Sequence, residues 1–243
     1  MSERTTTQPE AEESTDTGDP KRSNTGAAPD STPTRVTSGA TSTVRALENA
    51  GIEVMFGVQG GAIMPVYDAL WDSDIRHVMM AHEQGAAHAA DAFSVVSGEP
   101  GVCLATSGPG ATNLVTGLAD ANMDSDAVVA LTGQVPQHMV GSDAFQETDT
   151  TGITAPITKN NYFASDADTV GDTVGEAVAL ASSGRPGPTL VGLPKDATSG
   201  ETDRETGMPP TPETYTAQNE ASEPAAPGAA HTRPTGRAAH PPA

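Results

Sequence analysis

Residues 53–113, EVMFGVQGGAIMPVYDALWDSDIRHVMMAHEQGAAHAADAFSVVSGEPGVCLATSGPGATN, decide the fold class, because short apolar runs alternate in them with segments of helical length. The same alternation continues outward to about residues 40 and 193. Strands are predicted at 53–56, 76–80, 102–105, 127–132 and 189–193. Helices are predicted at 40–50, 63–71, 83–97, 109–122 and 167–182. Apolar strands separated by helices predict an α/β fold, in which a parallel sheet is flanked by helices on both faces.

The loops that follow the predicted strands are the expected place for a functional site. On a parallel sheet, ligands collect at the carboxyl ends of the strands, where the chain leads into the next helix. The loops that meet this description are 57–62, 81–84, 106–112, 133–147 and 157–161. We therefore expect the residues that carry chemistry to lie in these five loops.

The two ends of the chain differ in composition from the middle. Residues 1–36 are rich in Thr, Ser, Pro and Glu, and residues 198–243 are rich in Pro, Ala, Gly and Thr. Segments with so few aliphatic side chains cannot bury enough apolar surface to offset the entropy of ordering. The sequence predicts a disordered acidic extension over 1–36, one domain over 37–197 and a disordered tail over 198–243.

The charge of the chain excludes several classes of partner. It has 32 acidic and 12 basic residues, for a net charge of -20, and a surface of that sign repels nucleic acid and anionic membrane. The acidity has two explanations that stay open: a solubilising surface with acidic tails, or a halophilic protein adapted to a cytosol of very high salt.

Cellular location is predicted from features that the sequence lacks. Cys103 is the only cysteine, so no disulfide can form within the chain. No apolar run approaches the ~20 residues needed to cross a bilayer, and the polar N-terminus does not look like a signal peptide. We expect a cytoplasmic protein that binds no membrane.

Taken singly, the loop motifs have ordinary explanations. The paired glycines of 57–62 are typical of a tight turn. The loop TSGPGATN at 106–113 has neither the G-x-G-x-x-G spacing of a nicotinamide site nor the G-x-S-x-G spacing that would make Ser107 a hydrolase nucleophile. Glu83 lies in the first turn of a predicted helix, where an acidic side chain interacts favourably with the helix dipole.

A metal site in the loop 81–92 is not predicted. His82, His88 and Asp91 are the residues that could form one. Their spacing fits no familiar zinc signature, and two histidines six positions apart do not share one face of a helix.

In combination, the motifs resemble those of one family. HEQGAAHAADA at 82–92 and TSGPGATN at 106–113 are shared by many thiamine-diphosphate decarboxylases and ligases. MDS at 123–125, TGQVP at 132–136, DAFQE at 143–147 and TKNN at 158–161 point, among these, to the large subunits of acetolactate synthase (acetohydroxyacid synthase). The resemblance covers about residues 40–197 and implies the pyrimidine-domain fold of thiamine-diphosphate enzymes.

The resemblance implies a reaction and a catalytic role for Glu83. The family decarboxylates pyruvate and joins the remaining two-carbon unit to a second 2-oxo acid, which gives 2-acetolactate early in branched-chain amino-acid synthesis. The acid that matches Glu83 hydrogen-bonds a ring nitrogen of the cofactor's aminopyrimidine and favours its imino tautomer. Glu83 is therefore the predicted catalytic residue.

The resemblance also implies which residues surround the cofactor ring. Gly60 and Gly61 match glycines that pack beside the aminopyrimidine. Thr106 and Asn113 match residues of the loop that lines the same ring, and Gln146 matches a glutamine that reaches toward the cofactor.

Two further pairs of residues receive roles from the resemblance. Phe145 and Lys159 match residues near the substrate channel. Ser125 and Arg185 match positions that contact FAD, which in this family has a structural rather than a redox role. One departure is Gln59, where the family more often has proline.

The sequence lacks the part of the family pattern that binds the diphosphate. Members continue past residue 197 into a central domain that holds most of the FAD site. A third domain then carries a GDG…N segment for Mg²⁺, and no GDG occurs here. We therefore expect a truncated large subunit with no metal ligands of its own, whose Ala-, Pro- and His-rich tail is typical of a shifted reading frame.

Three interpretations of the chain stay open. It is an incomplete large subunit, one half of a split enzyme, or a non-catalytic dimerisation module that pairs with an intact paralogue. The expected partners are a second copy or another chain that supplies the diphosphate-binding domain, together with a small regulatory subunit; nucleic acid is not among them.

Overall fold

The structure, a computed structural model, describes residues 37–204, and the predicted disorder of 1–36 and 205–243 lies outside the described residues. The strands are β1 (Thr37–Ser38), β2 (Val54–Gly57), β3 (Arg76–Met79), β4 (Gly101–Ala105), β5 (Val128–Gln134), β6 (Asn160–Phe163), β7 (Thr189–Pro194) and β8 (Glu201–Thr202). The helices are α1 (Gly39–Asn49), α2 (Met64–Leu70), α3 (Glu83–Ser97), α4 (Pro109–Thr112), α5 (Val115–Asp124), α6 (Thr150–Thr154), α7 (Val170–Ser182) and α8 (Lys195–Ser199). Each helix of this part of the chain is too short or too polar to span a bilayer.

Six strands form one sheet in the order β3-β2-β4-β5-β7-β6, and every neighbouring pair in it is parallel. The central strands β4, β5 and β7 are buried along their whole length. Burial on both faces explains why these strands read as continuous apolar runs rather than as an alternating pattern. The prediction of an α/β fold with a parallel, helix-flanked sheet is confirmed.

The two faces of the sheet pack against different sets of side chains. Because successive side chains of a strand point to opposite faces, Val102 and Leu104 join the core beneath α1, α2 and α7, whereas Cys103 and Ala105 join the core beneath α3 and α5. The first core is built mainly of Val, Leu and Ile, and the second has many alanines. Small residues let α3 lie close against the sheet, which positions the helix that begins at Glu83.

Local interactions set both ends of α3. His82 is extended, and its Nδ1 accepts a hydrogen bond from the backbone N–H of Gln84 at 3.1 Å, so it caps the first turn. At the other end Gly98 has φ 76°, a left-handed conformation that glycine adopts without a steric penalty. The helix therefore begins where the sequence predicts, with Glu83 in its first turn.

Besides the short elements β1, α6, α8 and β8, which were not predicted, the structure differs from the predicted elements at two places. The edge strand β6 was not predicted, because its residues NNYF are exposed or half-buried and form no apolar run. The single helix predicted at 109–122 is two helices, α4 and α5, and Asn113 lies between them. Both differences arise where tertiary contacts outweigh the local pattern.

The folded domain continues beyond the predicted boundary at residue 197, which falls inside α8. The backbone N–H of Gly39 donates to Gly200 O at 3.0 Å, and β8 pairs with β1 in an antiparallel ribbon. Thr198 and Thr202 are buried. This segment is held by main-chain hydrogen bonds and buried threonines rather than by aliphatic side chains, so its composition resembles that of a tail.

Candidate functional site

Three loops meet at the carboxyl edge of the sheet. Residues 58–63 follow β2, residues 80–82 follow β3, and residues 106–108 follow β4. These strands are neighbours in the order β3-β2-β4, so the loops that leave them lie side by side. The edge therefore brings together the glycines, the acid and the threonine that the resemblance assigns to the cofactor ring.

Glu83 is half-buried at the start of α3, and one of its carboxylate oxygens is held in place. Asn113 Nδ2 donates a hydrogen bond to Glu83 Oε2 at 3.0 Å. The other oxygen, Oε1, accepts no hydrogen bond from residues 37–204, and it would lie 3.3 Å from a Cβ added at Gly110. One oxygen is thus oriented by an amide, and the other is available to a ligand.

Thr106 joins the loop after β4 to the loop after β2. Its Oγ1 accepts a hydrogen bond from Ala62 N at 3.3 Å. A Cβ added at Gly60 would lie 2.5 Å from Thr106 Cβ, and one added at Gly110 would lie 2.8 Å from Thr106 Cγ2. Glycine is therefore required at both positions by close packing. By contrast, a Cβ at Gly61 would meet nothing within 4 Å, so this residue faces open space.

A tyrosine and a histidine beside the site were missed in the sequence. Tyr67 Oη lies 3.0 Å from His77 Nε2, and the two rings meet edge to face. Burial, with a smaller contribution from the negative charge of Glu83, raises the pKa of Tyr67. Burial also lowers the pKa of His77. Both groups are therefore neutral near pH 7. In the sequence, the signal that could have indicated this pair was His77, a histidine within a predicted strand.

The loop that carries Phe145 and Gln146 lies against the loop after β4 through its backbone. A Cβ added at Gly108 would overlap the carbonyl oxygen of Gln146, so these two segments touch. Gln146 has φ 57°, and its side chain is exposed. Phe145 is 87% exposed. The structure thus brings the Gln146 backbone to the site and leaves the Phe145 ring in solvent.

Lys159 is engaged elsewhere. Its Nζ donates to Leu180 O at 2.5 Å and to Ser183 O at 2.7 Å, at the carboxyl end of α7. Burial lowers the pKa of this amine. In these contacts Lys159 satisfies helix-end carbonyls that have no partner within the helix. The substrate-channel role of Lys159 stays a prediction.

Lys159→Met is expected to lower the free energy of unfolding by about 1–3 kcal/mol, because the helix-end carbonyls lose their charged donor. Chemical denaturation of the two proteins measures the difference. Lys195→Met, which removes the same charge from an exposed position, is the matched control and should change stability by less than about 0.5 kcal/mol. Equal stability of Lys159→Met and wild type would contradict the capping role.

Ser125 and Arg185 are brought together away from Glu83. Arg185 Nε donates to Ser125 Oγ at 2.8 Å, and its Nη2 donates to Asn122 O at 3.0 Å. This pair lies at the carboxyl end of α5, whereas Asn113 precedes the start of that helix. With 1.5 Å of rise per residue, the two ends of α5 are about 15 Å apart. The pair therefore forms a separate cluster.

Comparison with known proteins identifies a family for the first part of the described domain. Residues 37–153 match the family described as "Thiamine pyrophosphate enzyme, N-terminal TPP binding domain". The acetolactate synthase of Mycobacterium bovis is 56% identical over 164 residues, which are 67% of this chain and 26% of that protein. The probable acetolactate synthase large subunit of Methanocaldococcus jannaschii is 53% identical over 167 residues, or 69% of this chain and 28% of that protein.

A plant relative shows the same pattern. Acetolactate synthase 3 of Brassica napus, a chloroplastic protein, is 55% identical over 159 residues, which are 65% of this chain and 24% of that protein. The chain thus spans about a quarter of the length of the curated relatives that it matches. The family resemblance found in the sequence is confirmed: residues 37–153 form an N-terminal TPP binding domain of the thiamine pyrophosphate enzyme family.

Proposed function

We propose that this chain supplies the pyrimidine-facing half of a thiamine-diphosphate-dependent acetolactate synthase, which decarboxylates pyruvate and joins the product to a second 2-oxo acid. The observation that carries the proposal is the Glu83 carboxylate, oriented by Asn113 through one oxygen and open at the other. The relatives named as acetolactate synthases, 53% and 56% identical, support the choice of reaction.

The residues present fit the aminopyrimidine ring of thiamine diphosphate. A carboxyl group with one free oxygen can share a proton with a basic ring nitrogen. Gly61 faces open space and Gly110 has no side chain beside Glu83 Oε1, so a flat ring can approach the acid. When bound, thiamine diphosphate supplies the carbanion chemistry of the reaction.

The chain's own part is to hold and move one proton at Glu83. Asn113 keeps the carboxylate in one orientation, because its amide donates to Oε2. Thr106 fixes the loop after β2 by accepting from Ala62 N. The acid stands at the first turn of a 15-residue helix packed on the sheet, which gives it a rigid support. Gln146, which lies in the segment between β5 and α6, is proposed to approach the cofactor.

The remaining cofactors and partners are proposed to have most of their binding residues outside residues 37–204. Mg²⁺ is a hard cation that prefers oxygen ligands, including those of the diphosphate, and we assign its protein ligands to another domain. Ser125 and Arg185 are proposed to contact FAD from this side. A second copy or another chain would supply the diphosphate-binding domain, and a small regulatory subunit could bind the assembly.

Reconstitution tests the proposal. The chain is mixed with a polypeptide that carries the remaining domains of a relative, such as the M. jannaschii large subunit, together with thiamine diphosphate, Mg²⁺ and FAD. We expect 2-acetolactate to form from pyruvate in the mixture and in neither component alone. A mixture that binds thiamine diphosphate but releases acetaldehyde instead of 2-acetolactate would refute the assigned reaction.

A further inference from the structure

A second cluster of ionisable side chains lies where α3 packs against α5. The two helices approach closely, because a Cβ added at Gly117 would lie only 2.5 Å from Ala87 Cβ. Next to this contact, His88 and Asp91 of α3 meet Asp120 of α5. His88 Nδ1 is 3.5 Å from Asp120 Oδ2, and one ligand atom from each of the three residues lies within 4.8 Å of the others.

Asp91 carries an oxygen that needs a partner. The residue is only 9% exposed, and its Oδ1 is buried without a hydrogen bond from residues 37–204. A buried carboxyl group is stabilised by a hydrogen-bond or ion-pair partner, by protonation, or by coordination to a metal ion. His88 lies three positions before Asp91 on the same side of α3, and Asp120 of α5 lies beside both, so a cation bound among the three could satisfy this oxygen.

The charges around Asp91 also call for a cation. The negative charges of Asp120 and Asp126 act on Asp91, so three acids share this part of the surface. The ion pairs found within residues 37–204 are His88–Asp120 and Arg204–Asp172, so no lysine or arginine of this part neutralises the cluster.

We propose that His88, Asp91 and Asp120 bind one divalent transition-metal ion of the Zn²⁺ or Mn²⁺ type. An imidazole nitrogen with carboxylate oxygens is a ligand set that suits these ions better than Mg²⁺, which favours oxygen alone. Two ligand atoms at about 2.1 Å from a common ion are at most about 4.2 Å apart. Rotation of His88 and Asp120, whose side chains are 41% and 55% exposed, closes the remaining gap.

The ion would join α3 to α5, independently of thiamine diphosphate. The ion would also offset the negative charge of Asp126, which acts on the ligand Asp91. Of the histidines and acid considered in the sequence, His82 caps α3 through its Nδ1 and is not part of this cluster. The third ligand comes from another helix, and this explains why spacing along the chain does not reveal the site.

Titration of the full chain with Mn²⁺, in the absence of thiamine diphosphate, tests the site. After removal of bound metal with EDTA, free Mn²⁺ is followed by its electron paramagnetic resonance signal, and Zn²⁺ is added as a competitor. We expect one tight site per chain. Its affinity for Mn²⁺ should fall at least tenfold in His88→Ala and in Asp120→Asn. Asp124→Asn, an exposed acid at the end of α5, and His138→Ala, an exposed histidine, should leave the affinity within twofold.

A salt control separates the site from diffuse binding to an acidic surface. In 1 M KCl the attraction of scattered surface charges is screened, whereas coordination by three ligands persists. Thermal unfolding gives a second measurement: Zn²⁺ should raise the melting temperature of wild type, and Asp91→Asn should lose that increase although the variant folds. Binding that vanishes in 1 M KCl, or that is unchanged in both His88→Ala and Asp120→Asn, would overturn the proposal.

Discussion

Replacing Glu83 with glutamine is expected to abolish activation of bound thiamine diphosphate while the fold stays intact. Glutamine has nearly the same shape, and its amide oxygen can still accept the hydrogen bond from Asn113 Nδ2. The side chain therefore keeps its position, but it can no longer share a titratable proton with the ring nitrogen. Loss of a positioned general acid or base costs roughly 10²- to 10⁴-fold in rate.

The measurement is exchange of the thiazolium C2 proton for deuterium in the reconstituted complex, followed by NMR. Glu99→Gln removes the same charge from an exposed position after α3 and is the matched control. It should leave the exchange rate unchanged. Normal exchange in Glu83→Gln would refute the role assigned to this acid. Equal melting temperatures of the two variants would show that a loss of exchange does not come from unfolding.

Gly101→Ala is expected to cause a large loss of stability, on the order of 3 kcal/mol or more. An added Cβ would overlap the carbonyl group of Ala90 in α3. Neither side can move cheaply, because Gly101 N donates to Ala127 O at 2.9 Å and β4 is hydrogen-bonded to strands on both sides. The clash is between backbone and side chain at a rigid contact, so a rotamer change cannot relieve it.

Thermal and chemical denaturation measure this loss, and we expect the melting temperature to fall by about 6–12 °C. The matched control is Gly85→Ala in α3, where an added Cβ would meet only the flexible Met80 Cε at 3.6 Å. Alanine has the higher helix propensity, so this variant should be neutral or more stable by up to about 1 kcal/mol. Equal stability of Gly101→Ala and wild type would contradict the packing of α3 on β4.

The fold could largely be predicted because its central strands are buried on both faces. A strand such as β5 is then mainly apolar, and its buried run Val128–Leu131 is visible without any structure. The edge strand β6 follows the opposite rule: with one side open to water, its residues Asn160–Phe163 show no such run. The end of the domain was misplaced for a similar reason, since main-chain pairing of β8 leaves little trace in composition.

Part of the site could also be predicted, because parallel strands direct their carboxyl ends to one edge. The loops with Gly60, Glu83 and Thr106 must meet there if the three strands are neighbours. Tyr67 and His77 were missed, since their contact depends on how α2 lies against β3. The contacts of Lys159 with the end of α7 were missed for the same reason.

The sequence by itself thus determined the α/β class, the edge that holds the site and the candidate acid, since hydrophobic period and loop order are local properties. Only the tertiary structure decided that Asn113 orients Glu83 and that Asp120 joins His88 and Asp91. These pairs depend on the rotation and closeness of α5 against α3, which small side chains at the helix contact permit. Such packing between distant segments has no repeating signature along a single chain.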